Sequence, residues 1–273
     1  MVRRPAVAGQ FYPGSSHELK TLLERLVPEQ SQKVDALGIV SPHAGYLYSG
    51  AIAGKTFAEV SIPSNVIILG PNHHGYGHEA AIYSSGAWET PLGKTPVDST
   101  LVAEILESCD GFSADELAHR FEHSLEVQLP FIQYLAPAAS IVPICIGHVT
   151  LNTLLSLGEA LGEVISRHGQ DILMVASSDM THYETGKSAR VKDSMAIEKI
   201  LEIDPVGLYR TVTDNRISMC GVMPVTLMLA AAKKAGAQKA RLVQYGNSGD
   251  VTGDQSEVVG YAGLIIERGD TTG

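Results

Sequence analysis

NVIILGPNHH, residues 65–74, is an apolar run that breaks at Gly70 and Pro71 and then delivers His73 and His74. DILMVASSDMTH, residues 171–182, repeats the plan, ending on Asp179 and His182. Runs that stay apolar at successive positions, rather than alternating, are strands buried on both faces. Such strands belong to a sheet with helices on each side, so the two stretches predict an α/β fold.

Working outward, β-rich runs fall at 36–40, 80–83, 140–146, 240–245 and 258–266. Helical patterns fill the intervals at 16–26, 50–60, 99–108, 124–135, 151–168, 187–201, 205–212 and 224–235. The alternation predicts a three-layer α/β/α arrangement around a mostly parallel sheet. The run from 258 follows a Gly/Asp/Ser-rich loop, and pairing it antiparallel with its predecessor would make the sheet mixed. No repeat or linker divides the chain, so residues 1–273 are expected to form one domain.

Composition narrows the function. A net charge of −10 suits a phosphate backbone poorly, so nucleic acid is not an expected partner. Cys109, Cys145 and Cys220 are far apart and odd in number, which fits a reducing compartment and a cytoplasmic location. The N-terminus lacks the apolar core of a signal peptide. The longest apolar stretch, 220–232, falls short of the roughly 20 residues of a membrane span.

In open α/β sheets ligands bind beyond the carboxyl ends of the strands. SPHAGY puts His43 there after the first long run, GPNHH puts His73 and His74 there, and SSDMTHY puts Asp179 and His182 there. A lone loop histidine is ordinarily a surface or capping residue, but three at one topological position point to a shared site. Imidazole can give one nitrogen to a metal while the other is held by a protein partner. Asp179 reads either as a helix N-cap or as a carboxylate that orients His182. FEHSLEVQLPF holds Glu122, His123 and Glu126 at an expected helix start, with His123 facing either solvent or the site. Cys220 precedes Gly221 at another helix start, where the dipole favours a thiolate.

SPHAGYLYSG, ILGPNHH, TPLG, EHSLEVQLPF, SSDMTHY and MCGVMP, in this order, resemble the signatures of the Memo family, whose microbial members are also called AmmeMemoRadiSam system protein B. AGQFYP resembles the family's start. That family is similar in fold to the class III extradiol ring-cleaving dioxygenases, whose non-haem iron sits on two histidines and a glutamate. The resemblance implies His43 and His73 as metal ligands, with Cys220 where the dioxygenases have their carboxylate. It implies an acid/base role for His182, beside Asp179, and a site-lining role for His123.

Two histidines and one anionic ligand leave positions open on Fe(II), while a thiolate softens the site toward Cu or Zn. Three functions follow as expectations. One is a dioxygenase-like oxidoreductase acting on a small molecule. Another is a metal-handling or peptide-binding protein on the same scaffold, and the third is a zinc hydrolase. The family name implies a functional link to a radical-SAM protein. The chain itself has neither a CxxxCxxC cluster motif nor a phosphate-binding GxxxxGK[ST] loop.

Overall fold

The apolar runs become the middle of one large sheet, as strands that must hide both faces require. The computed structural model describes residues 1–269. Along the chain come β1 (Val2–Arg3), α1 (Ser16–Leu26), β2 (Ala36–Ser41), α2 (Tyr46–Ala58), β3 (Asn65–Pro71), β4 (Ala80–Ile82), β5 (Ala87–Thr90) and β6 (Gly93–Pro96). Next are α3 (Ser99–Ser108), β7 (Ser113–Ala114), α4 (Leu129–Leu135), β8 (Ser140–Ile146), α5 (Leu151–His168), β9 (Ile172–Ser177) and β10 (His182–Glu184). The remainder is α6 (Gly186–Leu201), α7 (Pro205–Asp214), α8 (Val222–Lys234), β11 (Ala237–Asn247), α9 (Gly249–Thr252) and β12 (Val258–Arg268).

The nine-stranded sheet runs β10-β12-β2-β9-β3-β8-β4-β7, with β11 also paired to β12. Its centre, β2-β9-β3-β8, is parallel. β12 joins β2 antiparallel, and β11 joins β12 antiparallel, so the sheet is mixed. Every residue of β2 and β9 is buried. Helices α3, α5, α7 and α8 pack as one layer, with α8 against β2, β3 and β9. Helices α1, α2 and α4 pack together as the other layer, with α2 against β2 and β12. The architecture is the expected α/β/α sandwich.

Besides the short β7, β10 and α9, two features depart from the sequence reading. A small sheet, β1-β5-β6, fastens the N-terminus to the molecule; its strands are too short to stand out as patterns. The helix expected over 124–135 begins only at Leu129, after a 3-10 turn at Glu126–Gln128. Pro130 explains the delay. Proline lacks the N–H that a helix interior needs, and it is accommodated within the first turn. Residues 122–125 therefore form an irregular turn, and His123 does not sit at an α-helix N-terminus.

Candidate metal centre

Parallel neighbours β2, β9 and β3 end side by side, at Ser41, Ser177 and Pro71. His43, Asp179 and His73 each lie two positions beyond those ends, so the sheet brings them to one edge. The turn before α4 adds His123 from the side. One ring nitrogen from each of His43, His73 and His123 lies within 4.8 Å of those from the other two. The His43 ring stands edge-on to both partners, and the His73 and His123 rings stack at 4.7 Å.

Glu122, fully buried, organises the second and third histidines. Its Oε1 accepts from His73 Nδ1 at 2.9 Å and from the Ser124 N–H at 2.9 Å, and its Oε2 accepts from the His73 N–H at 2.8 Å. His123 Nδ1 is 3.6 Å from the same Oε1. Burial alone would raise the Glu122 carboxyl, but the His73 and Ser124 hydrogen bonds and attraction to His73 hold it well below the usual carboxylate range. With His73 Nδ1 donating to a carboxylate, its Nε2 is left as the lone-pair atom. Burial lowers His123 to about 4, so its imidazole is neutral near pH 7.

His43 is almost fully buried, and burial, followed by the neighbouring His123 and His73, keeps its pKa well below the ordinary value. Its Nδ1 lies 3.0 Å from Ser177 Oγ and its Nε2 lies 3.2 Å from Cys220 Sγ. Asp179 accepts at Oδ1 from the His43 N–H at 2.7 Å and the Ala44 N–H at 3.3 Å, which pins the turn after β2. Thus Asp179 is not a helix N-cap; Thr185 caps α6. Burial pushes the Asp179 carboxyl up to about 6, with the His43 hydrogen bond opposing. Burial and the Asp179 charge push the Cys220 thiol up as well, against the thiolate that the helix start alone would favour.

His182 begins β10 at the rim. Its Nδ1 donates to the Ser218 carbonyl at 2.9 Å, again leaving Nε2 free. Among the described residues no hydrogen bond joins it to Asp179; the two act on each other only through space. His74 turns outward, with Nε2 against the Phe121 carbonyl at 3.0 Å and its ring facing Tyr76. The sequence pattern gives Glu122 no role and does not single out Ser177 or Gln128. The Glu-His dipeptide at 122–123 was the available signal for Glu122. The other two have none, because their importance lies in contacts across the fold.

These donors fit a transition-metal ion: three imidazoles converge, a thiol touches one of them, and His43 and His73 spend Nδ1 on protein partners. Fold and site together define an α/β/α protein with a histidine cluster at the carboxyl edge of its sheet.

The chain belongs to the Memo family. The family model described as Memo-like protein matches residues 3–265. A MEMO1 family protein of Methanosarcina mazei is 44% identical over 97% of this chain and 99% of its own length. A MEMO1 family protein of Aquifex aeolicus is 43% identical with 97% and 99% covered. Among solved structures, an uncharacterized protein of Escherichia coli K12, JW3007, has a similar fold. Its TM-score is 0.55 at 12% identity, covering 84% of this chain and 98% of that one.

Proposed function

We propose that this chain holds one non-haem transition-metal ion on His43, His73 and Cys220 and uses it in redox chemistry of the dioxygenase type on a small substrate. The observation that carries a metal here is that one ring nitrogen from each of His43, His73 and His123 lies within 4.8 Å of the others. Cys220 Sγ is outside that group but 3.2 Å from His43 Nε2, and its place as third ligand rests on the family resemblance. Iron suits a site of two imidazoles and one anionic donor, and the sulfur makes copper and zinc its competitors. When bound, such an ion supplies Lewis acidity and, for iron, access to O2 chemistry.

The remaining side chains have defined tasks. His182 offers its free Nε2 at the rim, where it can take or give a proton to a bound molecule. Asp179 holds the His43 turn, and with its carboxyl at about 6 it is a second proton-handling group. His123 lines the site, its Nδ1 facing Glu122. The three-histidine convergence also favours a second reading, metal carriage without turnover, because three convergent imidazoles suit zinc or copper.

Anaerobic purification with elemental analysis, followed by O2 uptake on a catechol panel, separates the readings. Stoichiometric iron with turnover supports the enzyme. Metal without turnover supports carriage, and no metal under any loading condition removes both. Cys220→Ser is expected to reduce metal content. Unchanged content would take Cys220 out of the ligand set and leave the three histidines.

A further inference from the structure

Ser177, the last residue of β9, is fully buried and makes three polar contacts through one hydroxyl. Its Oγ is 2.7 Å from the Ser124 carbonyl, 2.8 Å from Gln128 Nε2 and 3.0 Å from His43 Nδ1. A serine hydroxyl has one hydrogen and two lone pairs. The Ser124 carbonyl can only accept, so it takes the hydrogen. Gln128 Nε2 can only donate, so it fills one lone pair. The orientation of that amide is set independently, since the same nitrogen is 3.0 Å from the Pro42 carbonyl and 3.4 Å from the Ser41 carbonyl. One lone pair remains, and it faces His43 Nδ1.

We propose that Ser177, backed by Gln128 and the Ser124 carbonyl, is a positioning residue that fixes neutral His43 as the Nδ1–H tautomer and leaves its Nε2, 3.2 Å from Cys220 Sγ, as the lone-pair atom for the metal site. The opposite tautomer would need the Ser177 hydrogen for Nδ1, leaving the Ser124 carbonyl without a donor in a buried setting. Glu122 imposes the same tautomer on His73 by a different device, a carboxylate on Nδ1. One ligand is thus set by a charged acceptor and the other by an uncharged relay. The neutral relay suits His43, which is almost fully buried beside the buried Asp179. His43 and His73 are thus preset for a cation before any cation arrives, with no proton to relocate on either ring. This inference deepens the metal-site reading and rests on it only for the purpose of the tautomer.

The test reads the tautomer first in metal-free protein, at a pH where His43 is neutral, by two-bond nitrogen–proton correlation spectroscopy of labelled imidazoles. Wild type is expected to show His43 protonated at Nδ1; protonation at Nε2 would overturn the proposal without any variant. Ser177→Ala is expected to shift His43 toward Nε2–H while leaving His73 unchanged. Its Co(II) or Zn(II) affinity should fall about 10- to 100-fold, and Ser177→Thr, which keeps the hydroxyl, should restore the tautomer. An unchanged His43 tautomer in folded Ser177→Ala would refute the relay. Gln128→Met, which keeps the Ser124 acceptor, should preserve the tautomer, and its loss would reassign control to Gln128. If wild type binds no metal but shows the Nδ1–H form, the metal reading fails and the relay stands.

Discussion

Glu122 carries three donors on two oxygens, with His123 Nδ1 close by, so its shape alone does not define its role. Glu122→Gln retains the shape but turns one acceptor into an NH2 that faces a donor. Metal affinity should fall about 10- to 100-fold, measured by competition with a chromophoric chelator; an unchanged affinity would exclude Glu122 from support of the site. At Gly221 the constraint is steric. A Cβ there would lie 2.4 Å from Ser178 Cβ and 2.5 Å from the Ser177 carbonyl oxygen, where the backbone cannot yield. Gly221→Ala should cost about 1–3 kcal/mol in urea unfolding and move Cys220 away from His43. Retention of full stability would mean that the close approach of α8 to the end of β9 is not needed.

Among the elements, the N-terminal arm is tied down by a cluster of buried polar contacts. Arg3 on β1 donates to Glu126 at 2.7 Å and to the His119 and Glu122 carbonyls, and it lies over the Trp88 ring. Glu126 also accepts from the Ala6 and Val7 N–H groups and the Tyr12 hydroxyl. Both charges are buried, so neither can fall back on water if its partner is removed. Glu126→Ala should lose about 3–5 kcal/mol of unfolding free energy. The double variant Arg3→Met with Glu126→Leu should lose less than the sum of the two single changes. Additive losses would show that the pair is not a coupled unit. Because Arg3 also holds the carbonyls of the segment leading to His123, the arm braces one side of the metal centre from a distance.

The whole molecule is a large buried core in which some histidines must remain neutral. His119 is fully buried, with Nε2 against the Ala81 carbonyl, and burial, reinforced by the Arg3 charge, lowers its pKa to about 3. The folded value lies below the unfolded one of about 6.5, so below that pH the unfolded chain takes the proton first. The stability tied to neutral His119 is complete above about pH 6.5 and drains away as pH falls toward 3, by about 1.4 kcal/mol per pH unit. His119→Gln should flatten the fall in unfolding free energy between about pH 7 and about pH 5. An identical fall in both proteins would show that His119 does not drive it. No described helix is long and apolar enough to cross a membrane.

The sequence by itself determined the layers and the candidate edge of the sheet. Continuous apolar runs have few other ways to be buried, and His43, His73 and Asp179 follow them at a constant offset that local chain geometry preserves. It also carried the family, through ordered motifs spanning nearly the whole chain. Tertiary structure alone decided how those residues are wired. Ser177 and His43 are 134 positions apart and Glu122 and His73 are 49 apart, and no local pattern encodes a hydrogen bond across such distances. It also decided that His123 joins the cluster from an irregular turn, because Pro130 delays the helix. The environment of the Cys220 thiol is tertiary too: desolvation and the Asp179 charge push it up, against the helix start that its sequence position advertises. The motifs brought histidines to one edge; only packing around that edge fixed which nitrogen each one presents.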